Sequence, residues 1–281
     1  MRHLLAAALL LLLPRLAVAG CAPIAFDSPR IWRAAATDTI PRAGGDDTIP
    51  RAGGDDTIPR ANGDDTVTIT FLGHASFEIV SPQGVRIVTD YNGVNRPRTL
   101  PDIATMNHAH ATHYTLSPDP RIPHVLHGWA ENGVVPQWDL VLRDVRITNL
   151  TTNIRTWDGG TEPNGNSIFV FETAGLCIAH LGHLHHLLEP ADLAALGRID
   201  VVMVPVDGAW TLGQADMAKV LEALQPHLVL PMHYFTRDVL MRFLDRMRDH
   251  YAIELRDSPT LELSRSTLPA RPTMVALPGG Y

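Results

Sequence analysis

The stretch Asn107-His108-Ala109-His110-Ala111-Thr112-His113 sets three histidines within six positions, directly after the apolar run Ile103-Ala104-Thr105-Met106. Alternate residues of an extended chain project to the same side. His108 and His110 are therefore expected to aim two imidazoles at one point, with His113 coming round where the chain turns. Neutral imidazole is the commonest protein ligand for zinc, iron and similar metals. Two further groups lie downstream, each at the end of an expected strand: His180-Leu181-Gly182-His183-Leu184-His185-His186, and Pro231-Met232-His233-Tyr234. More than half of the chain's 14 histidines fall in these three places. A random scatter over the surface does not produce that, so the pattern reads as a metal site.

Working outward, 281 residues give room for one large domain or two small ones, and 45% hydrophobic with 19% charged residues is ordinary for a globular chain. The net charge of −7 argues against a nucleic-acid partner, because phosphate recognition requires a basic face.

The first 20 residues read as a secretory signal: a basic start at Met1-Arg2-His3, an unbroken apolar run from Leu4 to Leu13, then small residues. Two cleavage readings stay open. Val18-Ala19-Gly20-Cys21 resembles the bacterial lipobox, which would leave Cys21 lipidated and anchor an exported, periplasm-facing lipoprotein in the cell envelope, with no other membrane contact. Ala17-Val18-Ala19 suits ordinary signal cleavage instead. With Cys21 lipidated, Cys177 in Leu176-Cys177-Ile178-Ala179 is expected to be a buried, inert thiol with no disulfide.

Residues 22–64 read as a linker. Asp38-Thr39-Ile40-Pro41-Arg42-Ala43-Gly44-Gly45-Asp46 recurs from Asp47 and again, with Asn62 for Gly, from Asp56, a period of nine residues. One Ile per unit beside Pro and Gly cannot bury a face, so the repeat is a flexible spacer rather than a solenoid. The folded domain is expected over 65–281. Strands are predicted at Val67–Phe71, Phe77–Val80, Val85–Val88, Ile103–Met106, Val125–His127, Val145–Leu150, Ser167–Phe171, Leu176–His180, Val201–Val206 and Leu228–Pro231. Helices are predicted at Ala191–Leu196, Gln214–Leu224 and Arg237–His250. A β-rich first half followed by mixed strands and helices makes the fold class α+β.

Gly73-His74-Ala75-Ser76-Phe77, Thr89-Asp90, the His-x-His-x-x-His run, Gly182-His183 and Pro231-Met232-His233-Tyr234 come in the order seen in the metallo-β-lactamase superfamily. The flavour is similar to the branch of lactonases and N-acylphosphatidylethanolamine-hydrolysing phospholipases D. The resemblance covers Val67 to Tyr234. It implies a four-layer αββα sandwich with a metal site at one edge of two sheets. Carried over residue by residue, it makes His108, His110, His113 and His233 ligands.

Three positions depart from the family pattern. Thr112 stands where HxHxDH has aspartate, Trp157-Asp158 where a further histidine is usual, and His183 where a carboxylate bridges two metals. Two divalent cations repel strongly, and anionic ligands normally offset this. The expectation is therefore one divalent ion, zinc in the first place with iron or manganese behind it, and His183 as a fifth imidazole. Asp90 and Asp207, each closing a strand, are the candidate catalytic residues to orient water or support a ligand; both also read as turn-forming aspartates. Trp157, Trp210, Tyr234 and His186 are the candidate walls of a pocket for a small-molecule or lipid-like substrate, with core packing the alternative for each aromatic.

Three functions follow: a hydrolase of an ester, lactone or phosphodiester using metal-bound hydroxide; a non-catalytic metal-binding envelope protein; and a mononuclear iron oxygenase-like member. The substrate is not legible, since one fold hosts many chemistries.

Overall fold

The computed structural model describes Gly20, Cys21 and residues 65–156 and 158–279. The expected signal up to Ala19, the repeat linker 22–64 and the candidate pocket residue Trp157 lie outside the described residues.

Strands β1 (Val67–Gly73), β2 (Ser76–Val80), β3 (Arg86–Val88), β4 (Ile103–Met106) and β5 (His124–His127) are followed by β6 (Asp139–Leu142), β7 (Val145–Arg155), β8 (Thr161–Thr173) and β9 (Leu176–His180). Helix α1 (Pro190–Leu196), β10 (Val201–Pro205), α2 (Gln214–Leu224), β11 (Leu228–Met232) and α3 (Arg237–Met247) come next, then β12 (Ala252–Leu255), β13 (Thr260–Leu263) and β14 (Thr273–Ala276). Two sheets form, in the orders β13-β1-β2-β3-β4-β5 and β12-β14-β11-β10-β9-β8-β7-β6. This is the two-sheet architecture that the sequence motifs imply.

The burial pattern follows from the side-chain periods. In β1, Val67, Ile69, Phe71 and Gly73 are buried and the residues between them less so, the alternation of a strand with one face toward the core. Strands β9, β10 and β11 are buried at every position, matching their continuous apolar runs, and they pair in parallel. Parallel strands covered on both faces need crossover connections. Helices α1, α2 and α3 supply these after β9, β10 and β11, and α3 is capped by Thr236, whose side chain accepts from Val239 N. The core between the sheets joins Ile69, Phe77, Ile79 and Ile87 of the first sheet to Ile168, Phe169 and Phe171 of the second. His180 ties them as well: its Nε2 donates to Ala75 O at 2.8 Å while Nδ1 accepts from Gly182 N at 3.2 Å.

Cys177 is not a free thiol. It forms a disulfide with Cys21, with Cα atoms 5.4 Å apart at a sequence separation of 156. Pairing at that separation is set by the fold and leaves no local signal. Among the described residues, no helix is long and apolar enough to cross a membrane.

The parallel register aligns the carboxyl ends of β9, β10 and β11 along one edge. Such edges are where α/β sheets place ligand sites. His183, Asp207 and His233 all leave that edge, and the segment after β4 comes to meet them from the other sheet.

Candidate metal centre

His74, His110, His113 and His233 each offer a nitrogen, and these four atoms lie within 4.8 Å of one another. They come from three local devices. His74 sits in the tight β1–β2 hairpin at φ 52°, and His233 follows β11 at φ 52°, both in the left-handed region. Non-glycine residues adopt that region rarely, and mostly where the surroundings impose it. Here the His233 N–H donates to His74 O at 2.7 Å, locking the two turns together across the sheets. His110 and His113 lie in the turn after β4, which His113 N–H closes onto His110 O at 2.8 Å.

His183 completes the group. Its ring lies 5.1, 5.0 and 5.1 Å from those of His110, His113 and His233, edge-on to each. Both its ring nitrogens are buried without a hydrogen-bond partner. Gly182 before it has φ +58°, and a Cβ there would come within 2.3 Å of Asn166 Oδ1 and 2.5 Å of Asn107 Nδ2. Only glycine permits that approach. Asn166 Oδ1 accepts from His183 N at 2.8 Å and so fixes the loop.

Two carboxylates back the ring. Asp90 Oδ2 is 2.5 Å from His113 Nδ1, and both side chains are fully buried. Asn107 Nδ2 donates to Asp90 Oδ1 at 2.8 Å. Asp207 Oδ1 is 3.2 Å from His233 Nδ1, and Asp207 Oδ2 accepts from Ala209 N and Trp210 N at 2.9 and 2.5 Å. With Nδ1 of each histidine turned to a carboxylate, the two Nε2 atoms face each other at 3.1 Å.

Burial, reinforced by neighbouring imidazoles, keeps His74, His110, His113 and His183 uncharged. It pushes His74 down to about 3, His110 to about 4 and His183 to about 2, and holds His113 well below its ordinary value. Burial pushes the Asp90 carboxyl well up, with Asn107 opposing it. For Asp207 burial acts in the same sense, but His233, Thr211 and the Trp210 amide outweigh it and hold the carboxylate low. Neutral imidazoles are the form that binds metal.

The expected ligands His110, His113, His183 and His233 are thus brought together; His108 is not. Its Nδ1 pairs with Glu162 Oε1 at 2.9 Å, and its ring stacks on Trp129 at 5.3 Å. Strand β4 ends at Met106, and residues 108–113 form bends and turns. The alternation that would have aligned His108 with His110 does not extend to them. Thr112 places Oγ1 2.9 Å from His74 Nε2 and 2.6 Å from His110 Nδ1, joining two of the rings.

Of the candidate pocket residues, Trp210 is 47% exposed beside Asp207. Tyr234 is buried, its hydroxyl donating to Leu277 O at 3.4 Å. Both ring nitrogens of His186 are engaged by backbone, at Leu187 O and Asn153 N. Sequence reasoning noticed His74 but did not place it among the ligands, and it did not single out Asn107 or Asn166. A lone histidine in a hairpin, or an asparagine that bonds across the fold, carries no periodic signal.

Residues 68–233 match the family model of the beta-lactamase superfamily domain. A UPF0173 metal-dependent hydrolase of Thermococcus onnurineus is 29% identical over 199 residues, which cover 60% of this chain and 85% of the relative. Another, of Carboxydothermus hydrogenoformans, is 25% identical over 205 residues, covering 64% and 90%. Among solved structures, a candidate zinc-dependent hydrolase of the metallo-β-lactamase superfamily from Thermotoga maritima superposes with a TM-score of 0.56 at 27% identity, covering 76% of this chain and 100% of that one.

Proposed function

The chain belongs to the metallo-β-lactamase superfamily, and we propose that within it this protein is a metal-dependent hydrolase of an ester, lactone or phosphodiester, built on a single ion held by imidazoles alone. The observation that carries this reading is His183, a buried imidazole with both nitrogens unpartnered beside four more histidines. An unsatisfied buried polar group costs roughly 1–3 kcal/mol, so a group of this kind calls for a ligand.

The donor set fits one ion better than two. In a tetrahedral zinc site with nitrogen at about 2.0–2.1 Å, neighbouring donors stand about 3.3 Å apart. The 3.1 Å between His113 Nε2 and His233 Nε2 is close to that edge. No carboxylate is among the grouped donors. Asp90 and Asp207 are spent on the far nitrogens of His113 and His233. Two ions about 3.5–4 Å apart would lack the anionic bridge that offsets their repulsion.

His74, His110, His113, His183 and His233 are the donors that would hold the ion, of which three suffice for a catalytic site and leave a position for water. A divalent ion bound there supplies a Lewis acid and lowers the pKa of a water to about 7. The rest falls to the chain. Asp90 holds His113 in the tautomer that presents Nε2, as partners behind metal-ligating histidines do, and the Asp207 carboxylate stands 3.2 Å behind Nδ1 of His233. Thr112 fixes His74 and His110 relative to each other. Trp210, exposed at the end of the Asp207 loop, is the candidate wall for an apolar part of the substrate.

Thr112 and His183, standing where the family pattern has aspartates, favour a second reading: metal binding without turnover. Elemental mass spectrometry on wild type and His183→Ala, followed by a panel of nitrophenyl esters, lactones and a bis-nitrophenyl phosphodiester, separates the two. One ion per chain, weakened in the variant, with turnover of one class supports the hydrolase. One ion with no turnover supports the second reading, and no ion defeats both.

A further inference from the structure

We infer that the chain is cut between Ala19 and Gly20, and that Cys21 is then oxidised onto Cys177 rather than carrying a lipid. Cys21 is the N-terminal partner of the disulfide and is buried in the core at 4% exposure. Its sulfur can form one further bond, either a thioether to a lipid or a disulfide, so the fold and the lipobox reading compete for the same atom.

The seat around Cys21 is built for a short backbone segment. Cys21 N–H donates to Glu172 Oε2 at 3.4 Å, and Cys21 O accepts from Arg198 N at 3.0 Å. The Arg198 guanidinium reaches Gly175 O and Cys177 Sγ, both at 3.1 Å. The Glu172 carboxylate also flanks Gly20, whose built Cβ would stand 3.5 Å from Oε1. A cut after Ala19 leaves a Gly20 ammonium beside that carboxylate. A cut after Gly20 removes the residue that Glu172 flanks. Ala17-Val18-Ala19 offers the small residues that ordinary signal cleavage requires, behind the Leu4–Leu13 run.

The chemistry balances in two steps. Water adds across the Ala19–Gly20 peptide bond, giving an Ala19 carboxylate and a Gly20 amine. The two thiols then give up two protons and two electrons to a disulfide donor of an oxidising compartment, which is reduced to its dithiol. The repeat segment 22–64 then joins two points held by the domain, Cys21 and Asp65. It is not a spacer from a lipid anchor. The disulfide lies at the amino-terminal end of β9 and the histidines beyond its carboxyl end, so the staple and the metal site can be tested separately.

The test is to produce the full chain, leader included, in a Gram-negative host fed an alkynyl palmitate, then to take the intact mass and a non-reducing tryptic map. The expected result is a chain beginning at Gly20, two hydrogens lighter than the dithiol, without palmitate label, in which peptide 20–30 is joined to peptide 156–198. A labelled chain beginning at Cys21, free thiols on Cys21 and Cys177, or a leader still attached would overturn the inference. Cys177→Ser is the second measurement: one titratable thiol per chain, unchanged metal content, and a Tm lower by roughly 5–15 °C. A Tm unmoved by Cys177→Ser would show that the staple is not formed.

Discussion

His113 Nε2 and His233 Nε2 face each other at 3.1 Å across the junction of the two sheets, each with a carboxylate behind its other nitrogen. His113 follows a strand of the six-stranded sheet and His233 a strand of the eight-stranded one. Two lone pairs pointed at each other repel, and a cation between them turns the contact into a link between sheets. Metal binding is therefore expected to stabilise the whole fold. At a free concentration of 100 times Kd the gain is about 2.7 kcal/mol, or roughly 5–10 °C in Tm. Thermal unfolding with zinc and with a chelator measures it. A Tm indifferent to both would mean that the histidines do not bind metal.

The carboxylates behind the ligands should matter through the tautomer they impose. Asp90→Asn puts an amide N–H against His113 Nδ1, provided the amide oxygen keeps the Asn107 donor. The ring proton must then move to Nε2, which can no longer ligate. Asp207→Asn removes the charge behind His233 and weakens the acceptor that the 209–211 backbone surrounds. Each variant is expected to lose about 10–100-fold in zinc affinity, read by competition with a chromophoric chelator. Affinity unchanged in both would reduce these residues to turn formers.

Acid should unfold the metal-free protein early. His74, His110 and His183 are held near 3, 4 and 2, and His180, away from the cluster, near 4, in every case with burial as the leading cause. A histidine of depressed pKa stays neutral when folded but takes up a proton when unfolded, once pH drops below about 6.5. Its stability contribution is complete above that pH and is lost as pH falls toward the folded value. Asp207, held low, adds a loss below about 3.8. Asp90, held high, acts oppositely and loses stability as pH rises through its folded value. With the histidines outnumbering Asp90, denaturant midpoints of the metal-free chain should fall steadily from pH 7 to pH 4. A flat profile over that range would contradict the burial of these imidazoles.

How much of this was legible in the sequence follows from the range of each signal. The hairpin strands, Ile103–Met106, the buried runs of β9 to β11 and the helix Gln214–Leu224 rest on local periodicity and appear where periodicity puts them, whereas the helix expected over Arg237–His250 starts there and ends at Met247. Strands β6, β12, β13 and β14 were not read; β12 to β14 are stabilised by partners far away in sequence. His110, His113, His183 and His233 were found by clustering at strand ends. His108 misled because alternation was carried past the end of β4. The Cys21–Cys177 bond and the Asn107–Asp90 and Asn166–His183 contacts join residues that only the fold brings together.

Thr112 and His183 give the sharpest test of the single-ion reading, because they stand at the two positions where the family pattern carries carboxylates. Thr112 Oγ1 lies within hydrogen-bond reach of His74 and His110, so an aspartate there would bring its charge to the edge of the cluster. An aspartate at 183 would stand among His110, His113 and His233. Two anions would supply what a second cation lacks at present. The double variant Thr112→Asp/His183→Asp is therefore expected to raise the ion count from one to two per chain, whereas Thr112→Val keeps one ion and binds it less tightly, since two imidazole nitrogens lose a shared partner. Thr112 is exposed, so the loss of such a hydrogen bond is worth about 0.5–1.5 kcal/mol, or roughly 2–13-fold in affinity. Elemental analysis after dialysis against limiting zinc gives the count. Two ions in the wild type would show that neutral donors suffice to hold a pair. One ion in the double variant would show that the spacing of the rings, rather than the missing charge, sets the number.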